Sequence, residues 1–233
     1  MPDKMKSDKT RQLTLDLPSR AALGRDDFFQ SAANEMACAM LDGDWQGQNR
    51  LILTGPLGAG KTHLSRVWAL ENDAIIVEHS ELADMLQRLL DNRARPCVVE
   101  DVQELAGHAD SEEPLFHLLN DRSASGGALL LTHLAPVTAG RFALPDLASR
   151  IASLPVAAIE APDDQLLMMV LVKLFADRQL DVPAEVISYL SRHIERSFQA
   201  AGRAVAALDQ AALAQKRAIT RPLAASVLQR LYG

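Results

Sequence analysis

Eight consecutive residues, at positions 55–62, constrain the fold most: they read Gly-Pro-Leu-Gly-Ala-Gly-Lys-Thr. They fit the pattern G-x-x-x-x-G-K-[ST], a glycine-rich turn whose backbone N–H groups point at phosphate oxygens. Lys61 adds positive charge for the β- and γ-phosphates, and Thr62 offers a hydroxyl to a magnesium ion. An apolar run precedes the loop at 51–53, and apolar residues at helical spacing follow it over 61–70. Strand, loop and helix in this order aim a helix N-terminus at an anion, which favours a nucleotide-binding loop over a chance turn.

Short apolar runs alternate with helical segments as far as about residue 160. This alternation is typical of a parallel sheet covered on both faces. The predicted fold is therefore α/β, a P-loop core with a five-stranded parallel sheet flanked by helices. The predicted strands are 51–53, 74–77, 97–99, 128–131 and 156–159, and the helices are 28–42, 61–70, 81–90 and 115–120.

The pattern changes after Pro162, where the remaining segments all have helical spacing. The predicted helices there are 163–178, 184–194, 197–216 and 222–231. A domain boundary is therefore expected near residues 160–163. The predicted parts are a flexible tail at 1–20, an α/β nucleotide-binding domain at 21–161 and a small all-α lid at 162–233.

The composition narrows the class of protein. The net charge is −6 and the pI about 5.5, which argues against a protein that wraps nucleic acid by itself, because phosphate neutralisation needs a surplus of Lys and Arg. The two cysteines, Cys38 and Cys97, fit neither a disulfide framework nor a metal site, as expected for a reducing cytoplasm. No apolar run approaches the roughly 20 residues of a membrane span.

Two acidic residues, Glu100 and Asp101, follow the predicted strand at 97–99. Their position about forty residues after the P-loop favours a Walker B pair, in which one carboxylate holds the metal through water and the next orients the nucleophile. Alternatively, they are ordinary acidic residues at a strand end.

Four more residues are candidates for contact with a nucleotide. Thr132 and His133 end the next strand, where a polar side chain senses the γ-phosphate or has no role at all. Arg150 lies in a short helical segment before the last strand, where it can reach the nucleotide of a neighbouring subunit as an arginine finger. Arg196, with Arg203 as the competing choice, begins a lid helix and can close over the phosphates.

Taken together, these segments resemble AAA+ ATPases of the DnaA family. The resemblance extends over about 21–233 and implies a nucleotide site at Gly55, Gly58, Ala59, Gly60, Lys61, Thr62, His63 and Arg196, with Leu23 and Gly24 at the adenine. It implies catalytic roles for Glu100, Asp101 and Arg150, sensor 1 at Thr132 or His133, and Mg²⁺ held by Thr62 and Glu100. ADP or ATP is the implied ligand. The longer Glu100 in place of an aspartate implies weak intrinsic hydrolysis.

The chain ends directly after the lid, so it is expected to lack the helix-turn-helix domain with which DnaA reads DNA. A DnaA-type ATPase without that domain resembles the Hda branch of the family, which switches DnaA off. The segment Gln12-Leu13-Thr14-Leu15-Asp16-Leu17 resembles the peptide by which partners dock on the polymerase sliding clamp. This implies clamp contacts from Gln12, Leu13, Leu15 and Leu17, although alternating leucines equally fit an edge strand.

The resemblance implies a cytoplasmic negative regulator of replication initiation. It would bind the clamp through its tail and stimulate hydrolysis of DnaA-bound ATP through Arg150, with ADP as an ordering ligand. Self-association through the AAA+ interface is expected, and neither sequence-specific DNA binding nor a membrane role is. The rivals are a helper ATPase for helicase loading or transposition, a P-loop kinase, and a nucleotide-gated adaptor without effect on DnaA.

Overall fold

Five parallel strands form a single sheet in the computed structural model, which describes residues 30–43, 45 and 49–232. The strand order is β2-β3-β4-β1-β5, so the P-loop strand lies between β4 and β5. In chain order the strands are β1 (Arg50–Gly55), β2 (Ile75–Glu78), β3 (Cys97–Glu100), β4 (Leu129–Leu134) and β5 (Val156–Ala158).

Helices connect the strands and then follow the sheet. They are α1 (Glu35–Asp42), α2 (Lys61–Glu71), α3 (Leu82–Asp91), α4 (Ala109–Ser125), α5 (Pro145–Ser153), α6 (Asp164–Ala176), α7 (Ala184–His193), α8 (Phe198–Gln215) and α9 (Arg221–Tyr232). The predicted fold class, a five-stranded parallel sheet with flanking helices and a helical C-terminal region, is confirmed. In the described ranges, no helix is long and apolar enough to cross a membrane.

The central strands are apolar on both faces because helices cover both sides of the sheet. Ile52 and Leu131 face one apolar cluster, which packs under α3, α4 and α5. Leu53 and Leu130 face another, which packs under α1 and α2. The helices after the sheet have a core of their own, formed chiefly by Leu167, Leu171, Phe175, Val186, Leu190, Ala204, Val205, Leu208, Leu223 and Val227.

Helices α1 and α4 differ from the predicted segments. Helix α1 begins at Glu35 instead of 28, because the Ser31 and Asn34 side chains accept the backbone N–H groups of a preceding turn. Helix α4 is longer than 115–120 on both sides. Pro114 lies in its second turn, where the missing N–H deprives only the carbonyl of exposed Asp110 of a helical donor.

The last strand ends at Ala158 and α6 begins at Asp164. The Asp163 side chain caps α6 by accepting a hydrogen bond from Leu166 N at 2.7 Å. This turn falls close to the predicted boundary at 160–163. The three-part division stays a prediction, and its tail at 1–20 lies outside the described residues.

Candidate nucleotide site and the arginine of α5

The glycine-rich loop joins the carboxyl end of β1 to the first turn of α2. Gly58 and Gly60 have φ angles of +72° and +96°, which residues with a Cβ rarely adopt. Lys61 is buried, and its Nζ donates to the carbonyl oxygens of Gly55 at 2.9 Å and Pro56 at 3.0 Å. Burial lowers the pKa of Lys61, and the nearby Asp101 carboxylate opposes this. The ammonium therefore closes the loop beside the exposed Thr62, where phosphate would lie.

Residues around the start of α8 pack directly on this loop. Phe198 N donates to Gly58 O at 2.8 Å. A Cβ added to Gly60 would lie 2.9 Å from the Phe198 ring, and one added to Gly58 would lie 3.0 Å from Gln199 Cβ. These glycines are therefore required both by their backbone angles and by the close approach of the helical region.

The acidic residue that ends β3, Glu100, is already bound by side chains of α2. Glu100 is buried, and its Oε1 accepts a hydrogen bond from Ser65 Oγ at 2.9 Å. Its Oε2 lies 3.7 Å from Arg66 Nη2. Burial raises the pKa of Glu100, the contacts with Ser65 and Arg66 lower it, and the charges of Asp101 and Glu78 raise it.

This arrangement fits a magnesium ion at Glu100 poorly. A metal bound directly or through water would compete with the hydrogen-bond donor or the cation that each oxygen of this carboxylate already faces. The prediction that Thr62 and Glu100 together hold Mg²⁺ therefore lacks support from the geometry.

The second acidic residue is held in a different network. Asp101 has a φ of +54°, and its N–H donates to Thr132 Oγ1 at 2.8 Å. Gln103 Nε2 donates to Asp101 Oδ1 at 3.2 Å, and Gln103 Oε1 accepts from Leu134 N at 3.0 Å. The end of β3 is thus tied to the end of β4, which fixes the direction of the Asp101 carboxylate.

The two candidates for sensor 1 have different chemical capacities. The Thr132 hydroxyl accepts from Asp101 N and keeps its own hydrogen to donate. His133 Nδ1 bonds the carbonyl oxygen of Leu134, so Nδ1 carries the proton and Nε2 of the neutral ring is an acceptor. Burial lowers the pKa of His133, and the positive charge of Lys61 lowers it further. A neutral His133 can accept a hydrogen bond from water at Nε2 but cannot donate from Nε2 to a phosphate oxygen.

Arg150 lies on α5, away from this site. Its guanidinium carbon is 5.5 Å from the centre of the Phe116 ring, a cation–π contact with α4. The pKa of Arg50 is lowered by burial and then by the charge of Arg150, so the two arginines are neighbours. Arg50 begins β1 and the P-loop follows the other end of that strand, roughly 16 Å away at 3.3 Å per residue.

Both lid arginines have exposed side chains. Arg196 Nη2 forms an ion pair with Asp164 Oδ1 at 2.8 Å, and 62% of its side chain is exposed. Arg203 is exposed on α8. The choice between them for sensor 2 stays a prediction.

Some predicted site residues lie outside the described part of the chain, namely Leu23 and Gly24 at the adenine and Gln12, Leu13, Leu15 and Leu17 at the clamp. Among the described ones, the fold brings Gly55, Gly58, Gly60, Lys61 and the ends of β3 and β4 to one edge of the sheet. Ala59 is buried within the loop, and His63 is half-buried in the first turn of α2.

The sequence analysis missed four contact residues. Ser65 and Arg66 bind Glu100, Gln103 joins Asp101 to β4, and Phe198 packs on the loop. The position of Gln103, two residues after Asp101, was the one sequence feature that could have indicated such a contact. The contacts of Ser65, Arg66 and Phe198 join segments that no local pattern relates.

Comparisons with known proteins agree with this geometry. The family described as "Hda, lid domain" matches residues 164–228. The chromosomal replication initiator protein DnaA of Thermomicrobium roseum is 28% identical over 203 residues, which cover 76% of this chain but only 43% of that protein. The chain thus spans less than half the length of this relative.

Solved structures agree on the fold. Domain III of the Thermotoga maritima DnaA superposes with a TM-score of 0.74 at 18% identity, covering 92% of this chain and 98% of that one. DnaA from Aquifex aeolicus bound to AMPPCP gives a TM-score of 0.63 at 18% identity, covering 79% and 64%. Residues 164–228 are thus similar to the lid domain of Hda, and the fold of the chain is similar to that of domain III of DnaA.

Proposed function

We propose that this protein is an Hda-like negative regulator of replication initiation, which binds an adenine nucleotide and stimulates hydrolysis of the ATP bound to DnaA. The observation that carries the proposal is the position of Arg150. It lies on α5, six residues before Val156, which pairs with Ile52 near the amino end of β1, whereas the chain's own P-loop follows the carboxyl end of that strand. An arginine placed there is suited to a nucleotide held by another protein.

Nucleotide binding is supported by the loop. Its two left-handed glycines and the buried Lys61 form a phosphate cradle at the N-terminus of α2. The similar DnaA from Aquifex aeolicus binds AMPPCP, an adenine nucleotide analogue. We propose ADP as the resting ligand, with Leu23 and Gly24 at the adenine and Arg196 or Arg203 closing from the lid.

Arg150 would act when this protein docks on DnaA carrying ATP. An arginine supplied in trans stabilises the negative charge that develops on the transferring phosphoryl group, an effect of about 10³- to 10⁵-fold in known GTPase systems. The cation–π contact with Phe116 holds the side chain near one orientation before docking. Less conformational freedom is then lost when the complex forms.

The bound nucleotide has an organising role in this proposal. Phe198 N bonds Gly58 O, so the P-loop conformation and the lid position are coupled through one direct contact. A nucleotide that fixes the loop would then fix the lid, and with it the surface offered to DnaA. Self-association through the same AAA+ surface is expected when DnaA is absent.

The tail would bring the protein to its place of action. We propose that Gln12, Leu13, Leu15 and Leu17 bind the polymerase sliding clamp in the cytoplasm. A short peptide of this kind offers a glutamine for hydrogen bonds and leucines for an apolar pocket. Binding through a flexible segment is released easily, as a clamp partner requires.

The experiment measures hydrolysis of ATP pre-bound to DnaA, with the clamp loaded on DNA. Wild type is compared with Gln12→Ala/Leu15→Ala, which alters only the tail. We expect wild type to accelerate hydrolysis and the tail variant to lose most of this effect while keeping nucleotide affinity. Clamp binding by wild type without any effect on DnaA-bound ATP would instead support the adaptor. Absence of both activities would favour a helper ATPase for helicase loading or transposition.

A further inference from the structure

The contacts of Glu100 bear on whether this nucleotide site holds magnesium. Its carboxylate is buried, and both of its oxygens face side chains of α2. Ser65 and Arg66 follow Thr62 by three and four residues, about one helical turn or roughly 5 Å along the axis. Glu100 is therefore engaged one turn away from the hydroxyl that would coordinate a nucleotide-bound metal.

The length of the side chain explains why this contact is possible. Glutamate has one methylene more than aspartate, so its carboxylate reaches further from the strand end and can meet the second turn of α2. The Ser65 hydroxyl also lies 3.1 Å from the Thr62 carbonyl oxygen, the usual bond of a serine inside a helix. Its bond to Glu100, at 2.9 Å, is the shorter of the two.

Arg66 supplies the charge that a metal would otherwise supply. Its guanidinium is permanently positive and lies 3.7 Å from Glu100 Oε2. A magnesium ion at Glu100 would compete with the guanidinium for Oε2, which weakens its binding.

We propose that Ser65 and Arg66 hold Glu100 away from the magnesium position, so that this site binds ADP with little dependence on magnesium. The proposal rests on the proposed nucleotide binding but not on any effect on DnaA. It assigns to Arg66 a positioning role, because the guanidinium acts through Glu100.

The test measures equilibrium binding of a fluorescent ADP analogue with Mg²⁺ and with EDTA. For wild type we expect the two dissociation constants to differ by less than about threefold. Arg66→Gln frees Glu100 for the metal, so the ratio should rise by up to about fivefold, the range of a partly exposed ion pair. Adding Ser65→Ala should raise the ratio further, whereas Arg66→Lys, which keeps the charge, should stay near wild type.

Arg88→Ala is the matched control, because Arg88 is an exposed arginine on α3, which covers the opposite face of the sheet from α2. A ratio above about tenfold in wild type, or equal ratios in wild type and Arg66→Gln, would overturn the proposal. Failure of wild type to bind ADP under either condition would overturn the nucleotide site itself. Thermal melting of each variant establishes that the protein is folded, and Arg66→Lys provides a charge-retaining comparison if Arg66→Gln is unstable.

Discussion

Lys61 is the residue on which nucleotide affinity should depend most. Its ammonium already bonds two loop carbonyls and is positioned to face phosphate. Lys61→Ala should weaken ADP binding by about 10- to 100-fold, the range for hydrogen bonds to a charged group. Isothermal titration calorimetry measures this, with Lys173→Ala on α6 as the control. Equal affinity in wild type and Lys61→Ala would place the nucleotide elsewhere.

His133 should make the fold sensitive to acid. Its pKa is lowered in the folded protein by burial, and the unfolded chain takes up a proton near the ordinary pKa of 6.5. Between that pH and the lowered folded value, the unfolded state binds more protons, so stability falls as the pH falls. His133→Gln should reduce this slope, by no more than about 1.4 kcal/mol per pH unit.

Urea unfolding at pH 7.5 and pH 5.5 measures the effect of His133 on both sides of the ordinary pKa. Wild type should lose more stability between the two than His133→Gln does. The same loss in both proteins would mean that His133 does not stay neutral in the fold.

At the scale of elements, Glu112 joins α4 to the start of α5. It is fully buried, and its oxygens accept from Gly107 N at 2.7 Å and from Ala143 N and Leu144 N at 2.8 Å each. Glu112→Ala leaves three backbone donors without their acceptor and should cost about 3–5 kcal/mol of unfolding free energy.

Glu113→Ala is the matched control for Glu112, because Glu113 is exposed and pairs with His117 one turn away. It should change stability by less than about 0.5 kcal/mol. Denaturant unfolding measures the free energy of unfolding of both variants. A similar small effect of both would show that the loop before α5 is held by other contacts, and Arg150 would then not depend on Glu112 for its position.

The contact between the P-loop and α8 can be measured by a double-mutant cycle. Gly60→Ala should destabilise the fold by about 1–3 kcal/mol, since Gly60 has a φ of +96° and its new Cβ would lie 2.9 Å from the Phe198 ring. In a Phe198→Ala background the cost should fall by about 0.5 kcal/mol or more, because only the backbone strain remains. Additive effects would mean that the ring moves aside freely.

For the whole molecule, the strong local patterns predicted the fold class but not the contacts between segments. Apolar runs such as 97–99 and 128–131 predicted strands to within a few residues, because strands buried on both faces are continuously apolar. The strand order follows from long-range packing and was not predicted. The P-loop spacing located its phosphate cradle, whereas the bond between Ser65 and Glu100 joins residues 35 positions apart and leaves no local pattern.

The most direct test of the central proposal is a single-turnover assay of ATP loaded on DnaA, with this protein in excess and saturated with ADP. Wild type should accelerate phosphate release, and Arg150→Ala should lose about 10³-fold or more of that acceleration while retaining ADP and clamp binding. Arg88→Ala should behave as wild type. Full acceleration by Arg150→Ala, or its loss of clamp binding, would contradict the assignment of Arg150 as the arginine supplied in trans.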